Sequence, residues 1–168
     1  LEQVMPIYEA EVRHSDRFLM ERFIKGGVWV TGNAKAQNGF IEISEAKLKA
    51  NNEYTPTLKS VSLDIECNAD GVLFSVALVG NGLDCVLMIG EQQLQSDSTF
   101  EIDWCYDEIN LLTKLQQYII NNDPDVIVGW NVIDFDFSLL QERAEALGLT
   151  LNFGRDNQPL YINKGHYT

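Results

Sequence analysis

Between Ser60 and Glu66 the chain alternates without a break: Val61, Leu63 and Ile65 are apolar, whereas Ser62, Asp64 and Glu66 are polar. That period of two belongs to a strand with one buried and one open face. Asn68-Ala69-Asp70-Gly71 reads as a turn, residues 72–79 as a mostly apolar strand, and Asn81-Gly82 as a hairpin dipeptide leading into a third strand over 83–89. These three strands are expected to form an antiparallel meander. Residues 91–103 are polar and are expected to form a loop. From Asp107 to Asn121 the period changes, with Ile109, Leu112, Leu115 and Ile119 at helical spacing and acids at the start. Asp123-Pro124-Asp125 breaks that helix. Val126-Ile127-Val128 is too short for a helix and apolar on both faces, as a buried parallel strand is. A second helix follows Asp136, with Leu140, Ala144 and Leu147 on one face and Gly148 at its end. The order β-β-β-α-β-α predicts an α/β fold on a mixed sheet, an antiparallel edge followed by a parallel crossover.

The first 50 residues are less regular. A short strand over 8–12 is followed by a helix over 17–25, capped by Ser15 or Asp16, with Leu19 and Phe23 on one face. Gly26-Gly27 is expected to stop it, and residues 28–30 to form a strand. A turn-rich stretch from Asn33 to Gly39 precedes another short strand around 40–43. An α+β lobe this small is marginal by itself, so it reads as part of a domain. The polar segment 51–56, closed by Pro56, marks a boundary. The expected units are therefore residues 1–55 and 56–168.

Composition narrows the class of protein. Hydrophobic residues at 45% with 10% aromatics describe a globular chain, and no apolar run approaches bilayer-spanning length. No membrane partner is expected. The chain opens on Leu1 with nothing resembling a signal peptide, which suggests natural sequence upstream. Cys67, Cys85 and Cys105 form neither a CxxC pair nor an even set, so a reduced, cytoplasmic setting is expected. A net charge of −13 argues against an autonomous nucleic-acid binder, because phosphate neutralisation supplies most of such affinity. Either the chain never meets nucleic acid, or its carboxylates hold metal ions while other domains supply the basic track.

Two constellations carry chemistry. Asp64 and Glu66 lie two apart on a strand, so their side chains share a face with Cα atoms roughly 6.5–7 Å apart. Such a pair can reach around one hard divalent ion, Mg²⁺ or Mn²⁺; it equally fits a solvated strand face. The second is the run Asp123-Pro-Asp-Val-Ile-Val-Gly-Trp-Asn-Val-Ile-Asp-Phe-Asp136, a strand passing through a Gly-Trp-Asn turn into a helix. Ligands of open α/β sheets collect at the carboxyl ends of strands, where Asn131 to Asp136 fall. Helix capping by Asp134 or Asp136 and turn formation by Asn131 are the plain alternatives.

Ser62-Leu-Asp-Ile-Glu66 resembles the first exonuclease motif of family B DNA polymerases, usually D-I-E-T, and the run ending Asn131-Val-Ile-Asp-Phe-Asp136 resembles their second. Tyr8-Glu-Ala-Glu-Val-Arg and Arg17-Phe-Leu-Met-Glu-Arg-Phe-Ile24 are similar to the segment before the exonuclease domain, and 151–157 to the DNA polymerase II branch. The resemblance implies a ribonuclease-H-like 3′→5′ exonuclease fold after part of an amino-terminal domain, within a DNA-directed DNA polymerase of replication and repair. It implies proofreading by two divalent ions, Mg²⁺ or Mn²⁺: Asp64 bridging both, Glu66 completing the inner shell, Asp136 holding the outer ion through water. Asn131 and Phe135 match positions that contact the frayed 3′ end of the DNA primer. Nucleotides, a sliding clamp reached through other regions and the bacterial cytosol are the implied partners and setting. Cys67 replaces the usual Thr, and no Y-x-x-x-D follows Asp136 within these 168 residues. That third motif supplies a further metal-binding Asp and a Tyr that positions water, so the chain alone is expected to be inactive. A stand-alone exonuclease or RNase of the same fold is disfavoured by the amino-terminal lobe. A metal-free structural or interaction domain is disfavoured by the three retained acids.

Overall fold

The computed structural model describes residues 11–38, 40–93 and 100–163. The chain divides into two compact units, Leu1–Thr57 and Leu58–Thr168.

In the first unit, helix α1 (His14–Glu21) precedes an antiparallel hairpin of β1 (Val28–Ala36) and β2 (Ile41–Ala50). The helix sits earlier than the expected 17–25, and neither Ser15 nor Asp16 caps it: the cap position is Arg13, which makes no side-chain cap bond. Nor do the glycines end it. Phe23 turns left-handed at φ 52°, and the Ile24 and Phe23 N–H groups donate back to the Leu19 and Met20 carbonyls at 2.9 and 3.1 Å. Those are the two bonds that close a helix through a left-handed residue. The strands run longer than expected because cross-strand pairing carries them through Asn33, with a register shift between Thr31 and Asn33. Gly32 permits that shift, since a Cβ there would lie 2.7 Å from the Ser44 carbonyl oxygen. The expected strand at 8–12 lies outside the described residues except for 11 and 12, which form a turn and a bend.

The second unit is built on β3 (Ser60–Cys67), β4 (Leu73–Gly80), β5 (Leu83–Ile89), β6 (Glu101–Cys105) and β7 (Val126–Val128). They form one five-stranded sheet in the order β6-β5-β4-β3-β7. The meander β3-β4-β5 is antiparallel, whereas β6 joins β5 and β7 joins β3 in parallel. Asn81 and Gly82 both take positive φ, as their hairpin turn requires. Asn68 closes the β3–β4 turn, its Oδ1 accepting from the N–H groups of Asp70 and Val72 at 3.0 and 2.9 Å.

Register lines up the buried side chains in rows, Leu63–Leu78–Cys85 and Ile65–Val76–Leu87. Helix α2 (Glu108–Asn122) lays Leu111, Leu112, Leu115 and Ile119 on this core, and Leu140 and Ala144 of α3 (Ser138–Ala146) join it. Each fully buried leucine contributes about 2 kcal/mol of transfer free energy. Asp107 starts α2, its Oδ1 accepting the Asn110 N–H at 2.8 Å.

Three expectations need correction. The loop assigned to 91–103 contains the start of β6, whose parallel partner β5 lies outside any local window. Leu111 rather than Ile109 completes the buried face of α2; Ile109 is exposed. Strand β7 is the sheet's edge rather than a doubly covered interior strand, and Val128 is exposed. The element order of the second unit is thus β-β-β-β-α-β-α.

Candidate active site

Strands β3 and β7 run parallel, so their carboxyl ends leave the sheet at the same place. Strand β7 stops level with Ser62, and β3 continues beyond it. The chain after β7 closes over that uncovered edge. Gly129 passes so near β3 that a Cβ would lie 2.5 Å from the Leu63 carbonyl oxygen. Asn131 then turns left-handed at φ 54°. A π turn over Ile133–Phe137 leads into α3, with the Phe137 N–H donating to the Val132 carbonyl at 2.8 Å. The additional residue in such a turn rotates the subsequent side chains by about one helical step, roughly 100°. Here Asp136 is buried while Ile133, Asp134 and Phe135 remain exposed.

Asp136 is 1% exposed, an unusual position for an unpaired acid. Burial raises its pKa above the ordinary carboxylate range, and the neighbouring Asp64 charge raises it further. Its own N–H and that of Ile65 face the carboxylate and oppose those effects. Its Oδ2 is buried without a hydrogen-bond partner. Asp64 and Glu66 stand exposed on the open face of β3, opposite the small residues Ala77 and Ser75 of β4. Among the described residues none of the three acids forms an ion pair.

The structure therefore brings Asp136 to β3 and within electrostatic reach of Asp64, with Glu66 two residues further along the same face. Repulsion from Asp64 is present, but burial is the larger cause of the raised pKa. No group of three His, Cys, Asp or Glu side chains among the described residues stands close enough to hold an ion. What fits a cation is narrower: a buried carboxylate oxygen lacking a donor, and a second carboxylate acting on it. Asn131 and Phe135 are exposed beside this site, together with Trp130 at 92% exposure. Sequence reasoning missed the close approach of Gly129 and the Ile65 N–H that faces Asp136. The first had a signal in the glycine itself; the second is a backbone group and had none.

The sequence matches the family described as DNA polymerase family B, exonuclease domain, over residues 5–166. DNA polymerase II of Escherichia coli is 44% identical over 155 residues, covering 92% of this chain and 19% of that protein. A DNA polymerase of Archaeoglobus fulgidus is 26% identical over 168 residues, covering 98% of this chain and 20% of that protein. The chain thus spans about a fifth of the length of these relatives. Among solved structures, the family B DNA polymerase of Pyrobaculum calidifontis superposes with a TM-score of 0.62 at 22% identity, covering 90% of this chain and 20% of that one. The mixed sheet accordingly has the ribonuclease-H-like arrangement of those exonuclease domains. From the strand carrying Asp64 to the buried Asp136, the chain belongs to the exonuclease-domain family of family B DNA polymerases.

Proposed function

We propose that residues 56–168 act as a 3′→5′ exonuclease domain and residues 1–55 as part of an amino-terminal domain, both serving a longer DNA polymerase II-like enzyme that proofreads its own primer end. The observation that carries this reading is the buried Asp136 carboxylate, with an orphaned oxygen and the Asp64 charge acting on it. A chain gains nothing in stability from burying such a charge unless something positive answers it. Asp64, Glu66 and Asp136 are the residues to hold divalent ions, Mg²⁺ or Mn²⁺, and they are the catalytic acids of this reading. Bound ions supply the Lewis acidity that generates hydroxide from water and stabilises charge on the phosphoryl and leaving oxygens. The protein's part is placement. The π turn buries the Asp136 carboxylate beside the Ile65 N–H of β3, and the strand period keeps Asp64 and Glu66 on one face. Phe135 and Asn131 seat the terminal base and sugar of a frayed strand, which single strands offer readily as a stacking face. DNA replication and repair in the cytoplasm, with nucleotides as the polymerase's substrates, are the wider roles of this reading.

The test compares two proteins on a 5′-labelled single-stranded oligonucleotide with Mn²⁺: this chain, and this chain extended through the family's third motif. The extended protein should release 3′-terminal nucleotides and lose that activity on Asp64→Ala. The 168-residue chain should be slower by a factor of roughly hundreds or more, because each missing preorganised contact is worth about 3–4 kcal/mol of barrier. An extended protein that folds but shows no Asp64-dependent hydrolysis would contradict the proposal.

A further inference from the structure

Asp64 and Glu66 belong to β3, whereas Asp136 belongs to the π turn and the helix it enters, so the site exists only while those two bodies stay in register. Glu108, the first residue of α2, and Arg143 link them at a second point by way of the start of β4. Arg143 lies on α3, about 10 Å along the axis from Asp136 at the ordinary helical rise. Its Nε donates to Glu108 Oε1 at 3.0 Å, and a terminal nitrogen donates to Oε2, a two-point fork. The same Oε1 accepts the N–H of Leu73 at 2.9 Å. Leu73 opens β4 and pairs with Cys67, the residue after Glu66. Side-chain exposures of 22% for Arg143 and 12% for Glu108 shield the pair from most solvent screening. Burial works to raise the Glu108 pKa, but the Arg143 and Leu73 donors outweigh it and hold the carboxyl below its ordinary value. The β3–β4 turn also approaches α3 closely at Gly71, where a Cβ would lie 3.1 Å from the Leu139 side chain.

We propose that Glu108 and Arg143 are a positioning pair for the carboxylate site, holding α3 against the β3–β4 turn so that Asp136 stays seated on the edge of β3. This inference rests on the exonuclease reading for its purpose, but its geometry can be tested without metal, DNA or turnover. The Ile65 N–H, which faces the Asp136 carboxylate, reports on that seating. Amide hydrogen exchange should be followed in the wild-type chain and in Arg143→Met, comparing Ile65 with Val76 and Leu78 in the central strand β4. A positioning role predicts that Ile65 exchange accelerates about tenfold or more beyond the change at Val76 and Leu78, since local openings lie below the global one in free energy. Arg143→Lys, which keeps the charge and loses the fork, should fall between. Equal acceleration at all three amides would reduce the pair to a contribution to overall stability, and an unchanged Ile65 would overturn the proposal outright. If Arg143→Met does not fold, the same comparison is read from Arg143→Lys and from Glu108→Gln, which retains an oxygen for the Leu73 N–H. An extended wild-type protein in which Ile65 is protected but no Asp64-dependent hydrolysis occurs would count against the catalytic reading and not against this one.

Discussion

Burial and the Asp64 charge both oppose ionisation of Asp136, so its pKa in the folded chain lies above that in the unfolded chain. The folded state therefore holds the proton through that window, and stability falls as pH rises across it and stays lower above it. Asp136→Asn keeps an oxygen for the Ile65 N–H and removes the buried charge. In metal-free buffer at neutral pH it should raise Tm by several degrees, relieving an unanswered acceptor worth about 1–3 kcal/mol. The gain should vanish as pH drops below the ordinary carboxylate range; destabilisation at neutral pH would count against it. Glu108 has the opposite sign, its contribution present above the unfolded pKa and lost in acid. Gly129→Ala puts a Cβ 2.5 Å from the Leu63 carbonyl oxygen, which backbone cannot yield cheaply. Denaturant titration should show a loss of about 1–3 kcal/mol. A neutral result would mean the turn after β7 does not need its close approach to β3.

The elements that sequence made legible are those whose cues are local. Alternation marked β3, Asn81-Gly82 marked the β4–β5 hairpin, and the acidic start with leucine spacing marked α2. Strand β6 was not legible because its five residues carry two acids and gain their identity only from β5 beside them. The end of α1 was misread because glycine is the usual left-handed residue there, and the chain uses Phe23 instead. That choice is strained, and Phe23 is largely exposed. Phe23→Gly should therefore stabilise the first unit by about 1 kcal/mol. Thermal unfolding at an unchanged or lower temperature would mean that the Phe23 ring makes a compensating contact.

Over the full chain, a charge of −13 sets how the site meets a substrate. A chain with so large an excess of acids should release few counterions on binding, so affinity for a single-stranded oligonucleotide should be weak and nearly independent of salt. Fluorescence anisotropy checks this, and a steep loss of binding with added salt would reveal a cationic surface that the composition hides. The candidate acids were legible at two levels. The strand period put Asp64 and Glu66 on one face, whereas Asp136 was placed at the strand ends with helix capping as its alternative until resemblance to a polymerase motif joined it to them. The Glu108–Arg143 link between them was not legible, since an ion pair spanning 35 residues leaves no trace in spacing. Among the acids of this chain, metal binding is proposed for Asp64, Glu66 and Asp136 and for no others. Paramagnetic broadening by substoichiometric Mn²⁺ in an amide NMR spectrum tests this directly. The amides of Ile65, Phe135 and Asp136 should broaden first, and Asp64→Ala should abolish the effect. Broadening that begins at Asp103, Asp123 or Asp125, or that survives Asp64→Ala unchanged, would contradict that assignment.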